Sequence, residues 1–294
     1  MQIEEIEQLK NEPMRNHTTF KTGGPADMMF LPKSLEELLC VLQYAATNGI
    51  HKCVIGRGSN LLVSDAGIRG IVIKLSDRFA GLQIEEQNIY ADAGIMLRDL
   101  AAECIAKGLG GLEFAGGIPG TLGGGVSMNA GAYGGELKDF ITFVRVLTPE
   151  MKTDDIPCNE MAFGYRTSIV QEKGYIILGA GFKLPKGDQT ASLELLATLN
   201  NKRKSCQPLN FPSAGSTFKR PPGYFAGTMI EQCGLKGCRI GGAQVSEKHA
   251  GFIINTGDAS SADIYNLIRH VRDTVYHKTG VPLEPEVRMI GDFT

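Results

Sequence analysis

The sequence predicts an α+β protein built from more than one domain. Three observations carry this. The chain has 294 residues, enough for two or three domains. Helical and strand patterns mix without a strict βαβ rhythm, which argues against a doubly wound parallel sheet. The pattern also restarts after a helix that ends in the basic cluster Lys202, Arg203 and Lys204, which marks a domain boundary there.

Taken in order, Ile3 to Leu9 has the spacing of a short amphipathic helix, and Asn16 to Gly24 (NHTTFKTGG) reads as a loop. Ser34 to Asn48 is a helix: Ser34 and Glu37 form a capping box, and Leu35, Leu38, Leu39 and Leu42 keep helical spacing. Gly49 is the natural stop. Lys52 to Ile55 is a short strand that runs into the turn Gly56-Arg57-Gly58-Ser59-Asn60. Ile71 to Leu75 and Ile89 to Ala93 read as strands, and Met96 to Lys107 as a helix stopped by Gly108. Phe140 to Leu147 and Tyr175 to Leu184 are β-rich, and Leu193 to Lys204 is helical. Beyond the boundary come a short helix at Tyr224 to Cys233 and a strand at Gly251 to Asn255. Ser261 to Lys278 is an amphipathic helix on Ile264, Leu267, Ile268, Val271 and Val275, and a closing strand follows at Glu284 to Ile290.

Composition excludes several classes. A net charge of −2 gives no reason to expect nucleic acid or an acidic membrane surface. The polar, acidic start MQIEEIEQLKNEP does not read as a secretory signal, and no apolar run approaches the ~20 residues that span a bilayer. Seven scattered cysteines form no C-x-x-C pair, which suits reduced thiols in a cytoplasm. Five histidines without an H-E-x-x-H pattern suggest no metal.

The stretch that most needs a reason is Phe114 to Gly134, FAGGIPGTLGGGVSMNAGAYG, with eight glycines in 21 residues. Glycine at that density loses much conformational entropy on ordering. The compensating use is backbone that turns sharply and lies close to a ligand, with bare amides around an anion such as a pyrophosphate. No Gly-Lys-Ser/Thr closes it, so it is not a Walker A loop. Ile118, Pro119, Leu122, Val126, Met128, Asn129 and Tyr133 punctuate it as they would not punctuate a linker. The turn at Gly56 to Asn60 is a second place where a ligand can meet backbone amides.

Four polar groups stand near these glycines in character, and each has two readings. Arg166, after Tyr165, either holds a carboxylate bidentately or makes a surface ion pair. Ser216, in PSAGSTFKRP, lacks the G-x-S-x-G frame of a hydrolase and either reacts or merely turns the chain. Lys219 and Arg220 are a phosphate clamp or a solvated pair. Glu284, Glu286 and Arg288 share one face of a strand, as a site or a polar edge.

Together these segments resemble a known family. NHTTFKTGG, IGRGSNLLVSD, GLEFAGGIPGTLGGGVSMNAGAYGGE, FGYRTS, PSAGSTFKRP, GLKGCRIGGAQVSEKHAGFIIN and LEPEVR occur in one order from about Asn16 to Gly291. The set is similar to the UDP-N-acetylenolpyruvoylglucosamine reductases of bacterial peptidoglycan synthesis. The short connection from Arg166 to Ser216 resembles the compact subclass that lacks an extra substrate-covering loop.

The resemblance implies two FAD-binding subdomains of the vanillyl-alcohol-oxidase type, at residues 1–78 and 79–204. An α+β substrate-binding domain is implied at 205–294. FAD is implied to be non-covalent, held along Gly56, Arg57, Gly58, Ser59, Asn60 and Leu61. The large loop is implied to add Gly116, Gly117, Ile118, Pro119, Gly120, Thr121, Gly124, Asn129, Ala130, Gly131 and Ala132, with Arg288 as a further contact. NADPH is the implied co-substrate: it gives hydride to the flavin, which passes it to the enolpyruvyl ether of UDP-N-acetylglucosamine to form UDP-N-acetylmuramate. Arg166 and Glu286 are carried over as the groups that stabilise the enolate, and Ser216 as the proton donor. Tyr165, Lys204 and Lys219 are carried over as substrate ligands. The implied location is the cytoplasm, with no obligate protein partner, no nucleic acid and no membrane insertion. Cys206 and Thr228 stand where the subclass leads one to expect lysines, and Gly125 where alanine is usual.

Two rival functions remain at this stage. A different flavin oxidoreductase on the same FAD domains would need another substrate domain, against which PSAGSTFKRP and LEPEVR argue. A nucleotide-sugar binding protein without redox activity would keep the Lys219 region but need not keep both glycine loops.

Overall fold

A computed structural model of the chain describes residues 2–293. The described residues fall into two compact units. Unit one takes the residues up to Gln8, then Phe30–Arg57 and Ile73–Arg203. Unit two takes Leu9–Met29, Gly58–Val72 and the chain from Lys204 onward. Helices and strands alternate irregularly along the chain, as the α+β reading expects.

Unit one is organised on a five-stranded sheet in the order Thr153–Pro157, Ile141–Leu147, Ile176–Lys183, Asn88–Asp92 and Leu82–Glu85. All four pairings are antiparallel. The central strand Ile176–Lys183 is buried from Ile177 to Phe182, so it reads as a continuous apolar run and not as an alternation. Within this sheet, the two strands missed in the sequence are its edges. Thr153–Pro157 carries two aspartates and a proline, and Leu82–Glu85 is four residues long, so neither has a strong apolar signal.

Helix α1 (Leu35–Thr47) buries Leu38, Val41, Leu42 and Ala45. Its Ser34 cap accepts from the Glu37 N–H at 3.2 Å. The expected capping box is shifted by one residue, because the Glu37 carboxylate accepts from Lys33 N–H (2.9 Å). Helix α2 (Leu97–Ala106) buries Leu97, Leu100, Ala101, Cys104 and Ile105 and stops at Gly108, whose φ is +72°. Helix α3 (Leu122–Ser127), the short α4 (Val170–Lys173) and the long α5 (Gln189–Cys206) complete the set.

Unit two has a three-stranded antiparallel sheet, Arg239–Ile240, Ala243–Val245 and Ile253–Asn255. Helix α7 (Ser261–Thr279) packs against all three strands, and α6 (Ala226–Gln232) packs against α7. The buried face of α7 is Ile264, Leu267, Ile268, Val271 and Val275, the stripe its periodicity predicts. Ser260 and Asp263 close a capping box, and Asp65 adds a second cap from afar. The Asp65 carboxylate accepts from the N–H groups of Ser261 and Ala262, both at 2.9 Å. Gln8–Pro13, Pro25–Phe30 and Ile68–Lys74 lie side by side in that order.

Two element expectations are corrected. Ile3 to Leu9 is not a helix: a single 3₁₀ turn, Ile3–Glu5, gives way to the strand Gln8–Pro13. The closing strand is regular only over Arg288–Ile290. Pro285 has no N–H to give a ladder, and the chain changes partners around it. Lys219 N–H donates to the Glu284 carbonyl and Glu286 N–H to the Thr217 carbonyl, whereas Arg288 N–H donates to the Asn60 carbonyl.

Candidate active site

In unit one the glycine segment is folded throughout. It forms a 3₁₀ turn at Glu113–Gly117, helix α3 and a two-stranded hairpin of Gly131–Ala132 with Gly135–Glu136. Buried Glu113 anchors its start: the carboxylate accepts from Gly111 N–H (2.8 Å) and from the Ser192 hydroxyl of α5 (2.6 Å). The glycines earn their place by close approach. A Cβ on Gly116 would stand 2.5 Å from Leu196 Cδ1, and one on Gly117 would stand 2.9 Å from both Arg203 and Asn200. The Arg203 guanidinium donates to the Gly117 carbonyl.

Thr121 caps α3 without using its hydroxyl. That oxygen is buried and has no hydrogen-bond partner among the described residues. A Cβ on Gly56 would sit 2.2 Å from it, whereas Gly124 faces open space apart from the same oxygen at 3.8 Å. A buried hydroxyl without a partner, beside backbone stripped of side chains, fits a phosphate-bearing cofactor such as FAD.

Arg166 sits in a tight turn closed by Gly164 and Thr167, and its φ is +59°. A left-handed arginine is strained by roughly 1–3 kcal/mol, a conformation that persists where surrounding structure imposes it. Here the surroundings are named. The Ser127 carbonyl at the end of α3 accepts from Ser168 Oγ (2.8 Å) and Gln171 Nε2 (2.6 Å). Asn129 Nδ2 donates to Glu136 Oε2 (2.9 Å) and to the Gly164 carbonyl (3.2 Å), while its Oδ1 accepts from Lys138 N–H (3.1 Å). The Asn129 side chain thus bonds protein groups at both ends of its amide. The Arg166 guanidinium reaches toward the Gly131 carbonyl at 3.4–3.5 Å and lies 5.3 Å over the exposed Tyr165 ring. The Lys138 ammonium, then the Asn129 amide and the Arg166 charge hold the Glu136 carboxyl below its ordinary range against some desolvation. Glu136 and Lys138 went unread in the sequence, where only GGELK at the edge of the glycine run marked them.

In unit two the structure brings Ser216 and Glu286 into neighbouring backbone. Thr217 is fully buried. Its N–H donates to the Gly251 carbonyl (2.8 Å), and its hydroxyl accepts from Ile253 N–H (3.1 Å). Its carbonyl accepts from Glu286 N–H at 2.8 Å. Phe218 and Pro285 form an antiparallel bridge beyond it. Ser216 is exposed and Glu286 half-buried. Lys219 pairs with the Glu284 carboxylate. Asn60 joins the glycine turn to the same segment: its Nδ2 donates to the Glu286 carbonyl (3.0 Å), and strand Leu61–Val63 then runs parallel to Arg288–Ile290. Gly58, with φ +71°, lies so close that a Cβ would meet the His17 carbonyl oxygen at 2.0 Å. Lys204 is exposed, and its carbonyl accepts from Lys248 Nζ. Cys206 and Thr228 are both exposed. Among the described residues no cluster of His, Cys, Asp or Glu could hold a metal ion, and no helix is long and apolar enough to cross a membrane.

Comparisons with known proteins agree with this chemistry. Residues 26–153 match the model of an FAD binding domain, and residues 207–290 match that of the UDP-N-acetylenolpyruvoylglucosamine reductase C-terminal domain. A UDP-N-acetylenolpyruvoylglucosamine reductase of Alkaliphilus oremlandii is 48% identical over 284 residues, covering 97% of this chain and 93% of the relative. One from Lachnoclostridium phytofermentans is 52% identical, covering 96% and 92%. The crystal structure of the Thermus caldophilus reductase superposes with a TM-score of 0.82 at 35% identity, covering 97% of this chain and 99% of that one. With both domain models in sequence order and relatives this similar along nearly its whole length, the chain belongs to the UDP-N-acetylenolpyruvoylglucosamine reductase family.

Proposed function

We propose that Arg166, Ser216 and Glu286 manage charge and protons in the reaction this family performs. The enzyme reduces the enolpyruvyl ether of UDP-N-acetylglucosamine to UDP-N-acetylmuramate, a step of peptidoglycan precursor synthesis, with FAD as cofactor and NADPH as reductant. FAD, when bound, supplies the relay of a hydride equivalent from NADPH to the substrate. In unit one the groups that would hold it are Gly56 and Arg57 with the backbone of Gly116 to Ala132. In unit two they are the backbone amides of Gly58 to Leu61, with the side chain of Arg288.

Hydride adds to the methylene carbon, which becomes methyl. The electron pair of the double bond moves onto the adjacent carbon and into the carboxylate, giving a dianionic enolate. Arg166 offers fixed positive charge and paired donors for that carboxylate. Glu286 helps only as the protonated acid, because a second carboxylate there would repel the growing charge. Ser216 gives its hydroxyl proton to the enolate carbon, and the resulting alkoxide recovers a proton from water. Tyr165, Lys204 and Lys219 take the remaining substrate contacts. Lys219 must leave Glu284 to do so, an exchange of one exposed ion pair for another. The reaction is placed in the cytoplasm, where it serves cell-wall biogenesis and, through it, cell shape and division.

The observation that most supports this assignment is the 2.8 Å bond from Glu286 N–H to the Thr217 carbonyl, which seats the acid beside the residue next to Ser216. The test is the anaerobic visible spectrum of the purified protein. NADPH should bleach the flavin bands and the enolpyruvyl sugar should restore them. Bleaching without recovery would remove the substrate from the assignment.

A further inference from the structure

We propose that Asn60 is a positioning residue for Glu286, and that its side chain serves the proton-handling half of the reaction more than the cofactor. This rests on the reading of Glu286 given above. The Glu286 peptide is held from both sides. Its N–H is taken by the Thr217 carbonyl at 2.8 Å, and its carbonyl by Asn60 Nδ2 at 3.0 Å. Two residues on, Arg288 N–H donates to the Asn60 backbone carbonyl at 2.9 Å. Between these anchors Val287 is buried in the core of unit two. Asn60 therefore grips the chain on either side of Val287, once with its side chain and once with its backbone. The backbone at Glu286 is restrained on both sides of its Cα, which narrows where the carboxyl can stand.

The chemistry of the clamp selects asparagine. A carbonyl needs a donor, and the carboxamide supplies one across a short reach while staying neutral. Aspartate has the same shape but no donor and would set a negative oxygen against the Glu286 carbonyl. Serine is too short to span the gap, and glutamine is one methylene too long for a backbone fixed at Arg288. Losing the clamp frees the Glu286 peptide to tilt by a fraction of an ångström. A misplacement of about 1 Å caused away from the reacting atoms costs about 10²-fold in rate, and a smaller tilt costs less.

The experiment uses the FAD-loaded enzyme and compares Asn60→Asp, Asn60→Ala, Glu286→Gln and the double variant Asn60→Ala/Glu286→Gln. Anaerobic stopped-flow absorbance separates bleaching by NADPH from recovery on the enolpyruvyl sugar. We expect both Asn60 variants to keep a full FAD spectrum and to bleach within about twofold of the parent rate, with recovery slowed about tenfold or more. The pH dependence of recovery should shift in both, because the acid at Glu286 is no longer held in one environment. The double variant should recover no more slowly than Glu286→Gln alone, since the clamp acts only through that residue. Loss of FAD, or equal slowing of both phases, would make Asn60 a cofactor ligand and overturn the inference. So would unchanged recovery, or a double variant in which the two effects multiply. If Glu286→Gln itself recovers at the parent rate, the assignment of Glu286 fails, and the positioning role falls with it. If Glu286→Gln is slow while Asn60→Asp is normal, only the positioning role is refuted.

Discussion

Asn129 donates from Nδ2 to the Gly164 carbonyl at 3.2 Å, and so ties the glycine segment to the turn that carries Arg166. The same amide nitrogen serves Glu136, and Oδ1 serves the Lys138 backbone. Asn129 is only 2% exposed, and Asn129→Ala removes its three side-chain bonds, to the Glu136 carboxylate, the Gly164 carbonyl and the Lys138 N–H. A loss of roughly 1–3 kcal/mol is expected in urea unfolding, together with slower turnover as Arg166 loses its imposed turn. Asn129→Asp should be at least as damaging, because it sets a second carboxylate against Glu136. A variant with parent stability and turnover would contradict the tie.

Gly58→Ala tests the close approach in unit two. The residue has φ +71°, and the new methyl would fall on the His17 carbonyl oxygen, which is backbone and cannot swing aside. Strain of about 1–3 kcal/mol should lower the melting temperature. The FAD-to-protein absorbance ratio of the purified protein should fall with it.

Asp65→Ala removes the distant cap of α7. The Ser261 and Ala262 amides then lose their carboxylate partner, although Ser260 and Asp263 remain. A destabilisation of about 0.5–2 kcal/mol is expected by urea unfolding, with the flavin spectrum retained. Asp65 thus gives the last residue of IGRGSNLLVSD a structural task, in a motif whose glycines point to a ligand.

Cys104 lies fully buried in α2, and desolvation pushes its thiol up to about 12. The folded form keeps the proton that the unfolded chain gives up near the ordinary thiol value of 9.0. Its contribution to stability is therefore complete below that value and is lost as pH rises from there toward 12. At pH 8 a thiol reagent should label exposed Cys206 promptly and reach Cys104 only on unfolding, as peptide mapping would resolve. Prompt labelling of Cys104 in the native protein would contradict its placement.

The legible parts of this chain were those with a local cause. The α7 stripe from Ile264 to Val275 and the Ser34 cap follow from spacing and side-chain chemistry within a few residues. The glycine segment was recognisable as ordered, because Ile118, Leu122 and Val126 interrupt it. Its division into a turn, α3 and a hairpin was not, because the stabilising contacts come from Ser192, Leu196 and Arg203 on a later helix. Ile3 to Leu9 fitted helical spacing yet feeds a strand, since neighbouring strands override weak local preference. Glu286 was singled out by motif, whereas its bonds to Thr217 and Asn60 join segments 69 and 226 positions away and leave no trace in local pattern.

The division of labour between the half-reactions is tested most directly by anaerobic stopped-flow absorbance on Ser216→Ala. Only the second half needs a proton at the enolate carbon. Bleaching by NADPH should proceed at nearly the parent rate, while recovery on the enolpyruvyl sugar slows by about 10²–10⁴-fold. Recovery at the parent rate, or equal slowing of both phases, would contradict Ser216 as the proton donor.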